Sequence, residues 1–290
     1  MLPTTGAVAD AWGNPSTAWP GNSTYRGVTA IVGGTMAKTA LITGASSGIG
    51  HALALELAGR GWDLGLAARR VEALEELKAE ILARTGGSER RVETRSLDVT
   101  DTGAVRVVTQ ELDGALGGLD MVVANAGVAL NHKIGSPGFE RDEQTIHTNL
   151  LGAMATVDAA AEMFNETGGG HIVALSSVAA YRGMPGLGAY SASKAALLKY
   201  CEAARVELRS RGTRVTTLLP GYIDTPLNQD MKSRPFLVTA EVGARRIADL
   251  IERGVSTSTV PVMPWSVFGL LMRAVPNFLW DRMLGGPRRG

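Results

Sequence analysis

TALITGASSGIG, residues 39–50, decides the fold. Thr39 to Thr43 carry no charge and read as a short buried strand. A glycine-rich turn follows, and the pattern becomes helical over residues 48–60. In the order strand, turn, helix, the glycines permit a tight turn and close approach of the backbone. The helix N-terminus then offers free N–H groups and a favourable dipole to an anion such as a pyrophosphate. The glycines are Gly44, Gly48 and Gly50, with Ser46, Ser47 and Ile49 between them. This spacing, G-x-x-x-G-x-G, departs from the commoner G-x-G-x-x-G, and taken alone it also suits an ordinary strand-to-helix turn.

The rest of the chain repeats the same alternation. Apolar strand-like runs are predicted at 39–43, 63–68, 92–97, 119–124, 171–176, 214–219 and 258–262. Helical patterns are predicted at 48–60, 70–84, 102–116, 141–165, 189–211 and 240–253. Short apolar strands alternating with helices imply βαβ units and a parallel sheet covered on both faces. Residues 1–35 stand apart: they hold one acid, Asp10, one base, Arg26, and scattered Gly, Pro, Ser and Thr. They read as a flexible extension, neither a secretory signal nor an Arg-rich transit peptide. The expected division is an extension at 1–35, an α/β domain at 36–263 and an apolar tail at 264–290.

Composition narrows the class. The chain has 290 residues, enough for one large α/β domain, and its 45% apolar share supports a substantial core. A net charge of +1 offers nucleic acid no electrostatic footing. The four histidines have no metal-ligand spacing. The single cysteine, Cys201, cannot form an internal disulfide and points to a reducing compartment, hence the cytoplasm.

Several positions at predicted strand ends suit a dinucleotide. In NAD-binding folds a carboxylate about 20 residues beyond the glycines bonds the ribose 2′-hydroxyl. Here the second strand ends Ala67-Ala68-Arg69-Arg70, without an acid. Arg69 can instead bind the 2′-phosphate of NADP(H) through charge-assisted bonds. A bound anion also explains a cation at a helix start, which the dipole otherwise disfavours. Asp98-Val99 and Asn125-Ala126-Gly127 follow the third and fourth strands, where open α/β sheets bind ligands. Their alternatives are a helix N-cap for Asp98 and a plain turn for Asn125-Ala126-Gly127. Asn149 interrupts an apolar helical pattern. It is either a buried polar group satisfied by backbone or part of a proton path.

Three residues form a proton-transfer set: Ser177, Tyr190 and Lys194. Tyr190 and Lys194 are four apart on a predicted helix and share one face. Tyrosine titrates near pH ~10, and a nearby ammonium lowers that value. Such a tyrosine can act as general acid or base. Ser177 follows a predicted strand, where its hydroxyl can polarise a carbonyl. Without the rest of the chain, these residues equally suit a solvated helix face and a serine turn.

Together these motifs resemble the short-chain dehydrogenase/reductase family across residues 38–226. They are TGASSGIG, Asp98-Val99, ANAG, the helix asparagine, Ser177 with Y-x-x-x-K, and Pro220-Gly221 followed by Ile223 and Thr225. The resemblance implies a Rossmann-type, doubly wound, seven-stranded parallel sheet. It implies that Tyr190 is the general acid/base, that Ser177 orients the carbonyl, and that Lys194 binds nicotinamide ribose and lowers the Tyr190 pKa. Asn149 would hold a relay water. Gly44, Ser46, Ser47, Gly48, Ile49, Gly50, Arg69, Asp98, Val99, Asn125, Ala126, Gly127, Tyr190, Lys194, Pro220, Gly221, Ile223 and Thr225 would contact cofactor. Ser177 is preferred to Ser176 because it lies thirteen residues before Tyr190, as in the family. Ala124 stands where the family often has asparagine. The long apolar C-terminus departs from the short ending of acyl-carrier-protein reductases.

The leading expectation is therefore an NADP(H)-dependent oxidoreductase interconverting a ketone or aldehyde with an alcohol. The alternative is a non-catalytic NADP(H)-binding sensor or scaffold. A hydrolase is set aside because no G-x-S-x-G nucleophile elbow is expected in the chain. The expected partners are a small, weakly apolar carbonyl or alcohol and further copies of the chain, as homodimer or homotetramer. In the tail, Arg273, Pro276, Asn277 and Asp281 interrupt the apolar run, so no membrane span is expected. Short helices are expected there, covering the substrate pocket or a subunit interface, with peripheral membrane contact as the third alternative.

Overall fold

The computed structural model describes residues 37–86, 90–231 and 233–284. The expected extension at 1–35 lies outside the described residues. The chain runs β1 (Thr39–Thr43), α1 (Gly48–Gly59), β2 (Asp63–Ala68), α2 (Val71–Arg84), β3 (Val92–Ser96), α3 (Thr102–Leu116), β4 (Met121–Ala124), α4 (Glu140–Ile146), α5 (Gly152–Thr167), β5 (His171–Leu175), α6 (Gly188–Leu208), β6 (Arg214–Pro220), α7 (Ala240–Arg253) and β7 (Thr257–Val260). Two helices follow, α8 (Val262–Ala274) and α9 (Asn277–Leu284).

All seven strands are parallel, in the order β3-β2-β1-β4-β5-β6-β7. The order reverses between β1 and β4, which pair through Ala40–Met121, Leu41–Val122 and Ile42–Val123. That reversal opens a crevice beyond the carboxyl ends of these two strands, where such sheets take ligands. Strand alternation divides the core into two faces. Ile42, Leu64, Leu66 and Val123 pack with Leu53, Leu57, Leu74 and Ile247 on the side of α1, α2 and α7. Leu41, Val122, Ile172 and Val215 pack with Leu112, Val157, Phe164 and Leu197 on the side of α3, α5 and α6. Central strands buried on both faces need the unbroken apolar runs that the sequence carries.

Two elements differ from expectation. The single helix expected at 141–165 is α4 and α5, joined by a π-helical turn, His147–Leu151. The wider turn shifts the helical register and places Asn149 in the interior. The helix expected to reach 211 ends at Leu208. A tighter turn, Arg209–Arg211, then leads to Gly212, whose φ of 77° suits glycine.

The apolar tail folds as two helices meeting at 112°. Trp265 of α8 is buried at 3% exposure, and its indole lies on the backbone of Gly221. Its ring also meets Tyr222 at 5.9 Å, Phe236 at 5.6 Å and Phe268 at 5.8 Å between centroids. In α9, Trp280 lies under the Arg182 guanidinium and donates Nε1–H to the Gly183 carbonyl at 3.3 Å. The tail thus covers the loops that follow β5 and β6. Among the described residues no single helix is long and apolar enough to cross a membrane.

Candidate active site

The glycine turn is built for close approach. Gly44 has φ 68°, and a Cβ there would lie 2.7 Å from the Ala126 Cα. A Cβ at Gly50 would lie 2.5 Å from both Asn125 Nδ2 and the Gly44 carbonyl. Asn125 ties the two sides of the crevice: its Nδ2 donates to the Thr43 carbonyl at 2.9 Å and the Gly44 carbonyl at 3.3 Å. Thr43 Oγ1 accepts from the backbone N–H groups of Asn125 and Ala126. The switch point is therefore held rigid by hydrogen bonds between the ends of β1 and β4. A backbone so bare of side chains fits a pyrophosphate group, and Gly48, at φ 60°, opens α1 toward the crevice.

Cations stand at the far edge of this cradle. Arg70 donates to the Ser46 carbonyl and hydroxyl, each at 3.2 Å. Arg69 is largely exposed and faces Asp98 at 3.8 Å. The sequence reading chose Arg69 alone and missed Arg70, although their adjacency was the available signal. Asp98 accepts from the Thr100 N–H at 3.0 Å and hydroxyl at 2.8 Å. Those bonds, the backbone one first, hold its carboxyl below its ordinary pKa despite partial burial. The cap of α3 is Asp101, whose carboxylate accepts from the Ala104 N–H, not Asp98. Val99 packs beneath it, against Gly152.

The G-x-S-x-G spacing does occur, as Gly44-Ala45-Ser46-Ser47-Gly48. A hydrolase elbow needs a histidine beside its serine. Here the Ser46 hydroxyl instead accepts from Arg70, so the motif belongs to the glycine cradle.

On the other side of the crevice, β5 delivers two serines with different tasks. Ser176 Oγ donates to the Lys194 carbonyl at 2.8 Å and so anchors α6. Ser177 Oγ donates to the Pro220 carbonyl at 3.4 Å and accepts the Ala179 N–H at 3.1 Å, and its hydroxyl lies near enough to Tyr190 to act on that phenol. Lys194 Nζ donates to the Leu175 carbonyl at 2.8 Å and sits 5.8 Å from the Tyr190 ring centroid. A Cβ on Gly127 would lie 3.2 Å from Asn149 Oδ1 and 3.5 Å from Lys194 Nζ. Strand ends and one helix face thus gather Ser177, Tyr190, Lys194, Gly127 and Asn149.

Asn149 is fully buried. Its Oδ1 accepts the Val128 N–H at 2.7 Å, and its Nδ2 donates to the Val128 carbonyl at 2.8 Å. Of the two sequence-based alternatives, backbone satisfaction is present in these bonds. Ile223 is buried, with its carbonyl accepting from Asn228 at 2.8 Å. Thr225 is buried too, 3.5 Å from where a Gly48 Cβ would stand, so the loop after β6 closes over the glycine turn.

The electrostatics differ from expectation. Burial pushes the Tyr190 phenol up from its ordinary value; the nearby Ser177 hydroxyl opposes this and Tyr222 adds to it. Burial pushes Lys194 down to about 8. The expected lowering of Tyr190 by Lys194 is absent here. Nζ is directed at the Leu175 carbonyl, and desolvation of the phenolate outweighs its field. Tyr222 is a further site neighbour; the sequence places it at the start of a segment, 222–238, expected to border the substrate, but offers no motif that gives it a role of its own. A separate cleft of about 520 Å³, between the start of α6 and α9, is lined by Tyr181, Arg182, Ser191, Asn277 and Trp280. Neither Ser177 nor Tyr190 borders it.

The family model for short chain dehydrogenase matches residues 38–235. The chain belongs to that family. An uncharacterized oxidoreductase of Myxococcus xanthus is 40% identical over 247 residues, 84% of this chain and 95% of the relative. An uncharacterized oxidoreductase of Mycobacterium tuberculosis is 39% identical over 243 residues, 83% of this chain and 95% of the relative. Among solved structures, the alcohol dehydrogenase of the archaeon Thermococcus sibiricus, complexed with 5-hydroxy-NADP, superposes with a TM-score of 0.69. It is 29% identical, over 77% of this chain and 94% of that one. This short-chain dehydrogenase is thus an oxidoreductase of a family whose members bind nicotinamide cofactors and act on small molecules.

Proposed function

We propose that the chain is an NADP(H)-dependent oxidoreductase that interconverts a ketone or aldehyde with an alcohol. The observation that carries this reading is the gathering of Ser177, Tyr190 and Lys194 on one wall of the crevice, with Lys194 Nζ 5.8 Å from the Tyr190 ring centroid and 3.5 Å from where a Gly127 Cβ would stand. The cofactor would supply or accept hydride at the carbonyl carbon. The Ser177 hydroxyl would orient the carbonyl oxygen, and the Tyr190 hydroxyl would give that oxygen its proton or take it back. Lys194 Nζ would hold the nicotinamide ribose and favour the phenolate once a polar ligand replaces part of its desolvated surroundings. Asn149 would hold a relay water beside Lys194, and Thr225 with Ile223 would hold the carboxamide.

Arg69 and Arg70 support NADP(H) over NAD(H), because the end of β2 offers the ribose two cations and no acid. The relative crystallised with 5-hydroxy-NADP agrees with that choice. The substrate reading is an apolar carbonyl, from the aromatic group Tyr222, Trp265, Phe236 and Phe268 beside the site. A homodimer or homotetramer in the cytoplasm completes the proposal; the buried, neutral Cys201 thiol, pushed up to about 12 by burial, suits a reducing compartment.

The deciding experiment is NADPH oxidation with a panel of aliphatic and aromatic ketones and aldehydes, repeated with NADH. Turnover with at least one carbonyl, faster with NADPH, is expected. Tight NADPH binding with no turnover on any carbonyl or alcohol would favour the sensor reading.

A further inference from the structure

His132 lies between β4 and α4, outside the proton-transfer set. Its side chain is 6% exposed, and each ring nitrogen meets an acceptor. Nδ1 is 2.7 Å from Asp142 Oδ2, and Nε2 is 3.0 Å from the Ser136 carbonyl. A backbone carbonyl has no proton to give, nor has an ionised carboxylate. A neutral imidazole has one N–H, so both bonds form only when both nitrogens are protonated.

The backbone of the same residue joins two segments. His132 N–H donates to the Gly186 carbonyl at 3.0 Å, and His132 bridges to Leu187 in parallel. Leu187 is the N-cap of α6, and the Ser191 N–H bonds its carbonyl at 2.9 Å. Tyr190 stands three residues beyond Leu187. At the other end, the segment carrying His132 begins at Val128, whose N–H and carbonyl both bond Asn149. His132 therefore links the turn that holds Asn149 to the turn that starts the Tyr190 helix.

We propose that His132 is a positioning residue for the reaction: its two-ended clasp on Asp142 and Ser136 fixes residues 128–139 against residues 184–187, and so fixes the start of the helix that carries Tyr190. This rests on the reading of Ser177, Tyr190 and Lys194 as the reaction site.

The groups that face His132 are mainly on α4. Asp142 bonds it directly, and Glu140 adds negative charge. Arg141 turns away and donates to the Asn131 carbonyl at 3.2 Å. Phe139 meets the ring edge-on at 6.5 Å. Lys133 beside it is exposed, and residues 184–187 bring no titratable group. The Ser136 bond first, then Asp142, raise the His132 pKa above 6.5, against the opposing effect of burial. The sign follows from that direction. The clasp is complete below the ordinary value and loses one bond as pH rises through the raised one. Turnover should fall on the alkaline side as the start of α6 loosens, while the glycine cradle is untouched.

The test uses the full chain and has an arm that needs no substrate. Nitrogen-15 imidazole shifts in wild type should report both His132 nitrogens protonated below pH 6.5, with a titration midpoint above it. Asp142→Asn should lower the His132 titration and speed amide exchange at 128–136 and 184–188 about tenfold or more, as expected for loss of a charge-assisted bond. Asp142→Glu, which keeps the carboxylate, should restore protection. With the best carbonyl of the panel, Asp142→Asn should lower kcat several-fold, leave NADPH affinity near wild type, and flatten the alkaline fall in kcat that His132 causes. A His132 midpoint at or below 6.5, or exchange at 184–188 unmoved by Asp142→Asn, would overturn the clasp. Faster exchange with unchanged kcat would overturn the positioning role and leave a structural tie. Absence of turnover in wild type on every carbonyl of the panel would instead contradict the proposed function, with the exchange arm still deciding the clasp.

Discussion

The indole of Trp265 lies directly on Gly221: a Cβ added to Gly221 would stand 2.1 Å from Trp265 Nε1. The C-terminal tail and the loop after β6 are thus fitted to each other at one glycine. Trp265 Nε1 is buried and has no hydrogen-bond partner among the described residues, so the contact is held by packing. Gly221→Ala must displace the indole, and overpacking of this kind costs about 1–3 kcal/mol. Trp265→Ala empties the space at a cost of about 3–5 kcal/mol. The double variant should lose less than the sum, because the methyl group enters the vacated space. Urea unfolding of the four proteins measures this; strict additivity would mean that α8 does not pack on Gly221.

Lys194 carries a buried charge, and its pKa near 8 lies below the ordinary 10.5. Between those values the unfolded chain binds a proton that the folded chain lacks, so stability from this group rises with pH across that window. Lys194→Met should therefore be more stable than wild type below pH 8, with the advantage shrinking toward pH 10.5. Turnover should be lost throughout. Melting temperatures at about pH 7 and about pH 10 give the comparison; a variant less stable at the lower pH would show that the Leu175 bond outweighs the desolvation.

Arg69 and Arg70 should act together on the 2′-phosphate. Replacing either with Ser should weaken NADPH binding about 10- to 100-fold, the range for a lost hydrogen bond to a charged group. NADH binding should change little. Titration of both cofactors against each variant tests this, and equal weakening of NADH would place the arginines elsewhere on the cofactor.

Much of this was legible in the sequence, for identifiable reasons. The strands are buried on both faces, so their apolar runs mark them with few neighbouring signals to confuse the reading. The glycine turn was legible because Gly44 and Gly50 stand where a Cβ would strike backbone or Asn125. The π-helical turn at His147–Leu151 was hidden, since one wider turn leaves the apolar pattern nearly intact and its cause is a tertiary bond from Asn149 to Val128. Arg70 was passed over because sequence alone does not say which of two adjacent side chains turns toward Ser46. The directions of the Tyr190 and Lys194 shifts needed burial, which spacing does not report. For the tail, helices were legible, whereas the seat of Trp265 depends on a glycine more than forty residues away.

The central claim is that Tyr190 moves the proton. It is tested most directly by Tyr190→Phe, which keeps the ring and removes only the phenolic hydroxyl. The measurement is the NADPH-dependent turnover rate on the best carbonyl of the panel, beside NADPH affinity by titration on the same preparation. The account requires turnover to fall by about 10²- to 10⁴-fold, the usual share of general acid–base catalysis, with NADPH affinity nearly unchanged. Turnover within a few-fold of wild type, at unchanged affinity, would contradict it.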